Sequence, residues 1–183
     1  MENQMSSAPP SRLSPFGFEV TGSETIKLPL GRVVEIQKAK LKLKSWNGVV
    51  DFDTYNHKPL IDGDGEPLFA ELAVLRLLQQ HGWQGVWADS YRRKFRTVMP
   101  DRGEPATLPS AADEIYQRIK SKTGKRGGCW DIFTWKNGSF AFLELKRTKK
   151  DVIRLNQILW LQAALDTGIS ADSFLLVEWE LQS

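Results

Sequence analysis

The chain has 183 residues, 41% of them hydrophobic and 26% charged, with seven tryptophans, so a single well-buried domain is expected. Its one cysteine, Cys129, excludes an intramolecular disulfide and a cysteine-built zinc site, and no apolar run approaches the roughly 18 residues of a membrane span. A net charge of +3 with a sequence pI near 9.0 permits a polyanionic partner without requiring one.

Residues 1–25 are rich in Ser and Pro and are expected to form a disordered tail. They lack the basic region and apolar core of a secretory leader, which points to the cytoplasm. Residues 26–60 read as a β-hairpin extension. Ala39, Leu41 and Leu43 alternate with Lys38, Lys40, Lys42 and Lys44, and Asn47-Gly48 marks a tight turn. Pairing outward from that turn sets Leu43 against Phe52, Lys44 against Asp51 and Lys42 against Asp53. The resulting salt-bridged face accounts for both aspartates without a metal.

Asp62-Gly63-Asp64-Gly65 reads as a turn, because the downstream glutamate of a calcium loop is missing. A helix is expected over residues 66–81, with Pro67 at its first turn and Gly82 as its stop. Leu68, Leu72, Leu75 and Leu78 form its apolar stripe, and periodicity alone makes the adjacent Glu71 a boundary residue with its carboxylate in water. Residues 85–88 read as a short strand. Residues 89–127 read as a polar insertion containing one short helix, with Ser110 as N-cap and Ile115 and Ile119 inside.

Asn137-Gly138, set between two aromatic-rich runs, predicts a two-residue type I′ hairpin. With Lys136 facing Ser139, Trp135 falls opposite Phe140, Phe133 opposite Phe142, and Asp131 opposite Glu144. Two like charges so placed destabilise the pair and need compensation. Lys146, two residues beyond Glu144, shares that face. The run from 140 to 145 is nearly all apolar, so the charged groups sit where they persist only if paired or metal-bound. A structural ion-pair network and a metal site are both compatible with this pattern. Asp151 is placed to cap a helix over 151–166 whose Val152, Leu155 and Leu159 face the core, with Gly168 as its stop. An apolar strand over 174–179 closes the chain.

Asp131, twelve intervening residues and Glu144-Leu145-Lys146, followed by a helix carrying Gln157 and Trp160-Leu161, resemble the PD-(D/E)XK nuclease superfamily and within it the VRR-NUC type. The specific motif content lies in residues 127–161, and the wider resemblance covers about 66–180. Trp130 stands where the family usually has proline. The resemblance implies an α/β fold within residues 61–183, a restriction-endonuclease-like αβββαβ core with a mixed central sheet flanked by helices. It implies a Mg²⁺ ion, replaceable by Mn²⁺, held by Asp131, Glu144, the Leu145 carbonyl and Glu71. Lys146 would orient the attacking water, and Gln157 would position groups around Lys146.

The activity so implied is phosphodiester hydrolysis, in DNA by family habit and of a structure-specific kind, with RNA not excluded. Basic clusters flank the motif, and Arg92, Arg93, Lys125, Arg126, Arg147, Lys149 and Lys150 are the expected phosphate contacts. The alternative is a catalytically silent nucleic-acid-binding or assembly module that keeps the fold, against which the intact acids and lysine argue. A homodimer would let two sites cut two strands, but no heptad or isolated apolar stripe specifies one.

Overall fold

The computed structural model describes residues 13–124, 127–148 and 151–182. Lys125, Arg126, Lys149 and Lys150, four of the expected phosphate contacts, and the first twelve residues of the expected tail lie outside the described residues.

The strands are β1 (Val20–Lys27), β2 (Val33–Lys44), β3 (Ile61–Asp62), β4 (Pro67–Leu68), β5 (Gln84–Asp89), β6 (Lys94–Arg96), β7 (Ile132–Lys136), β8 (Ser139–Arg147) and β9 (Phe174–Gln182). The α-helices are α1 (Ala70–Gln80), α2 (Ser110–Thr123) and α3 (Leu155–Asp166). Seven strands form one mixed sheet in the order β1-β2-β9-β8-β7-β5-β6, while β3 and β4 pair separately. β9 runs parallel to both β2 and β8, and the other pairs are antiparallel. The fold is thus α/β, with three helices flanking the sheet. Among the described residues, no helix is long and apolar enough to cross a membrane.

Alternation along the central strands divides the core into two layers. Ala141, Leu143 and Leu145 of β8, with Leu175 and Val177 of β9, pack under α1 through Leu72, Leu75 and Leu78. Phe142 and Leu176 project to the other face and meet Ala112 and Ile119 of α2 and Trp160 and Leu161 of α3. Phe133, Phe142 and Phe174 stack across three neighbouring strands, with centroids 4.8 and 5.2 Å apart. Each aromatic pair adds roughly 0.5–1.5 kcal/mol beyond burial and pins the register of β7 and β8.

The hairpin over 131–146 forms in the expected register, from Lys136↔Ser139 through Phe133↔Phe142 to Ile132↔Leu143. Asn137 (φ 49) and Gly138 (φ 78) supply the positive φ angles of the turn. The second expected hairpin does not form. Neither Asn47 nor Gly48 takes a positive φ, and β2 turns back through Pro29–Gly31 onto β1 and runs beside β9. Lys42 therefore pairs with Glu180 and Lys44 with Asp62, in place of Asp53 and Asp51, and Lys38 pairs with Glu178. A twelve-residue strand beside β9 buries Ala39 and Leu43 in the core, which a local turn could not do.

Other boundaries shift for local reasons. The described part of the expected tail, residues 13–25, is built into the fold: Phe16 and Phe18 are buried, and β1 begins at Val20. Pro67 and Leu68 form β4 because the Gly63 N–H donates to the Glu66 carbonyl and closes a turn there, so α1 begins only at Ala70. Pro109, not Ser110, is the N-cap of α2. Asp151 accepts from the Arg147 N–H at 3.0 Å, holding a turn after β8, and α3 starts at Leu155. Val152 and Leu155 consequently point to solvent. Within the polar 89–127 region, α2 supplies part of the core, with Tyr116 5.2 Å from Trp160.

Candidate active site at the parting of two strands

The β7–β8 ladder stops at Ile132↔Leu143, one pair short of Asp131 and Glu144. Where backbone bonds would continue, the carboxylates take the free N–H groups. Leu145 N–H donates to Asp131 Oδ2 at 2.9 Å, and Asp131 N–H donates to Glu144 Oε2 at 3.3 Å. Within a strand, a residue's N–H and C=O serve the same neighbour, so the Leu145 carbonyl also points into this gap.

Glu144 is 2% exposed and carries a dense set of partners. Its Oε1 accepts from Lys146 Nζ at 2.8 Å and from Gln157 Nε2 at 2.5 Å, and Lys146 Nζ also donates to Gln157 Oε1 at 3.1 Å. Gln157 is fixed in turn, because its Oε1 accepts from the Arg154 N–H at 2.8 Å at the start of α3. Lys146 is thus oriented by two acceptors and retains N–H bonding capacity.

Trp130, the departure from the family pattern, has a structural role that sequence reasoning missed. Its ring is fully buried 4.8 Å from Phe174, and its Nε1–H donates to the Gln157 carbonyl at 3.0 Å, tying the start of β7 to the first turn of α3. At Gly128 the chain passes so close to Asn156 that a Cβ would lie 2.5 Å from its Nδ2. An aromatic residue directly before Asp131 was the available signal.

Glu71 approaches from the opposite face of the sheet, in the first turn of α1. It is 6% exposed, so the water-facing reading from periodicity is corrected. Its Oε1 accepts from Lys58 Nζ at 2.5 Å, and its Oε2 is buried with no hydrogen-bond partner among the described residues. A buried carboxylate oxygen in that condition can be satisfied by a water or by a cation.

The electrostatics follow from this crowding. Burial pushes the Asp131 carboxyl well above the usual carboxylate range, and the Glu144 and Glu71 charges add to the effect. The Leu145 N–H and the Lys58 charge oppose it. Burial also raises the Glu144 carboxyl, against the lowering influence of Lys146. The Cys129 thiol, half-buried beside both acids, is held well above its ordinary value by burial and their charge, which leaves it a poor nucleophile.

Hard oxygen donors are what Mg²⁺ and Mn²⁺ require, and Asp131, Glu144, the Leu145 carbonyl and the unpartnered Glu71 oxygen provide them. Among the described residues, no group of three or more acidic, histidine or cysteine side chains is placed to hold a metal ion, so Asp131, Glu144 and Glu71 do not form a ready three-carboxylate set. Mg²⁺ is commonly held by one or two carboxylates with water and phosphate.

The β5–β6 turn rises at the same end of the sheet, since the Ala88 N–H donates to the Asp131 carbonyl at 2.8 Å. Tyr91, Arg92, Arg93 and Lys94 are exposed there. Arg92 is already committed to Asp53 at 2.8 Å and lies over the Tyr55 ring, and Arg96 is buried against Asp89. Arg93 and Lys94 are therefore the more available cations of this cluster. Arg147 is half-buried, its guanidinium 5.7 Å from the Trp179 ring. No family model matches the chain, and neither a curated protein nor a solved structure is found to match it.

Proposed function

We propose that the protein is a metal-dependent nuclease that hydrolyses phosphodiester bonds in DNA, built on a restriction-endonuclease-like core. The observation that carries this reading is the hydrogen-bonded set of Asp131, Glu144, Lys146 and Gln157, with Glu71 near enough for its charge to act on Asp131. The order α1, β5, β7, β8, α3, β9 supports the fold assignment, with β6 and α2 inserted between β5 and β7.

Asp131, Glu144 and the Leu145 carbonyl would hold Mg²⁺ or Mn²⁺, with Glu71 bound directly or through water. A divalent cation there supplies Lewis-acid stabilisation of the charge that builds on the phosphate oxygens. The protein's own groups do the rest. Lys146, steadied by Glu144 and Gln157, directs a hydrogen-bonded water toward phosphorus and offsets the charge of the acid pair. Arg93 and Lys94, at the same end of the sheet, receive flanking phosphates.

The test is cleavage of labelled duplex, single strand, flap and four-way junction with Mg²⁺, Mn²⁺ or EDTA, wild type beside Glu144→Gln. Metal-dependent cutting that is lost in the variant is expected. Equal cutting by both proteins, or none on any substrate, would overturn the assignment.

A further inference from the structure

The stretch between β2 and β3 forms no strand, yet it delivers one charged side chain into the acid cluster. Lys58 Nζ stands 2.5 Å from Glu71 Oε1 and 5.1 Å from the ring centroids of both Phe69 and Trp87. It reaches this place through three consecutive left-handed residues, Tyr55 (φ 53), Asn56 (φ 62) and His57 (φ 64), closed by the Lys58 N–H on the Thr54 carbonyl at 2.8 Å. A left-handed turn of non-glycine residues costs roughly 1–2 kcal/mol per residue, so surrounding contacts must hold it.

Tyr55 provides those contacts. Its hydroxyl donates to Asp89 Oδ2 at 2.8 Å, its ring packs 5.1 Å from Phe69 and 4.8 Å from Tyr91, and its N–H donates to Asp53. Asp89, 1% exposed, is fixed by Arg96 at 3.0 Å. The ammonium is therefore placed by an anchored turn, and its position does not depend on a freely rotating surface side chain.

We propose that Lys58 is a cation built into the acid cluster, standing where a second divalent ion would bind beside Glu71, so that the site takes up one divalent ion and not two. This inference rests on the nuclease reading above. Charge balance supports it. With Asp131, Glu144 and Glu71 ionised, Lys146 and Lys58 leave the cluster at a net −1. In the free protein one divalent ion brings the cluster to +1, so a second ion would have to bind against net positive charge among buried groups. Lys58 occupies Glu71 Oε1 and leaves Oε2 for the single ion or its water, which makes it a positioning residue acting through Glu71. Without Lys58 the same acids stand at −2, one ion brings them to zero, and a second ion meets no net positive charge.

The experiment is Mn²⁺ titration of the full chain without DNA, counting bound ions from the magnetic-resonance signal of the free ion. Wild type and Lys58→Arg are expected to bind one ion, and Lys58→Met two. Lys58→Gln repeats the count, so that failure of one variant to fold does not end the test. Two ions in the wild type, or one in the wild type and in both neutral variants, would overturn the role of Lys58 while leaving the nuclease reading in place. No bound ion in the wild type would remove the metal site and the proposal with it.

Discussion

Asp131→Asn separates a site held ready for a cation from a structural ion-pair network. The substitution keeps the shape and an acceptor for the Leu145 N–H, but removes one of two carboxylates that face each other across the end of the hairpin. Like charges about 5 Å apart repel by about 3 kcal/mol at an effective dielectric of 20. Replacing a charged acceptor by a neutral one returns about 1 kcal/mol, and weaker attraction to the nearby lysines takes a further share. The variant should thus be more stable than wild type by about 1–2 kcal/mol in EDTA at neutral pH. At this chain length that is about 3–6 °C in melting temperature.

The pH dependence has a definite sign. Asp131 titrates well above its unfolded value because of burial and the neighbouring acids, so its contribution to stability is full below about pH 4 and is lost as pH rises through the folded value. The advantage of the variant should accordingly vanish toward pH 4 and open toward neutrality. Saturating Mg²⁺ at about 100 times its dissociation constant should add about 2.7 kcal/mol to the wild type and much less to the variant, reversing their order. The assay is a thermal melt in EDTA and in Mg²⁺ across pH. A variant less stable than wild type in EDTA would refute the reasoning, since it would mean that the acid pair is a net stabilising network.

Lys146→Met should lower the single-turnover cleavage rate by about 10²-fold or more while changing Mg²⁺ affinity far less, because Lys146 touches Glu144 and Gln157 but offers no ligand to a cation. Rapid-quench kinetics beside calorimetric Mg²⁺ titration would check this, and an unchanged rate would remove its role. Neutralising Arg93 and Lys94 should weaken binding of all sequences alike and shallow the salt dependence by about 0.9 in log–log slope for each lost phosphate contact. Fluorescence anisotropy across a salt series in Ca²⁺ would measure it, and an unaltered slope would place that turn away from the DNA.

What could be read from the sequence was what short-range chemistry decides. The β7–β8 register followed from Asn137-Gly138 and alternating aromatics, and with it the meeting of Asp131, Glu144 and Lys146. The pairing of β2 was lost because its partner, β9, lies more than a hundred residues away, and burial of Ala39 and Leu43 in that sheet outweighed a local Asn-Gly signal. Glu71 was placed at a boundary because periodicity sees the helix alone, whereas Lys58 and the facing sheet close over it. Lys58 had no sequence signal: its position is set by a left-handed turn and by Tyr55 on Asp89, both products of tertiary packing. Trp130 was legible as an anomaly, and only the fold supplied its bond to the Gln157 carbonyl.

The early parting of β7 from β8 also leaves backbone groups that must be covered. Backbone N–H groups released at a splayed strand end are a template for a foreign strand, and proteins cover or blunt such openings. Here the stopper is the pair of carboxylates, which caps the Leu145 and Asp131 N–H groups and places buried negative charge where an intruding chain would have to bring its carbonyls. The residues proposed to hold the cation thereby also satisfy the backbone groups that the parting releases. An alanine at Asp131 would uncover the Leu145 N–H along with the chemistry. Loss of activity in that variant would conflate an absent ligand with a sticky sheet end, which the isosteric asparagine avoids.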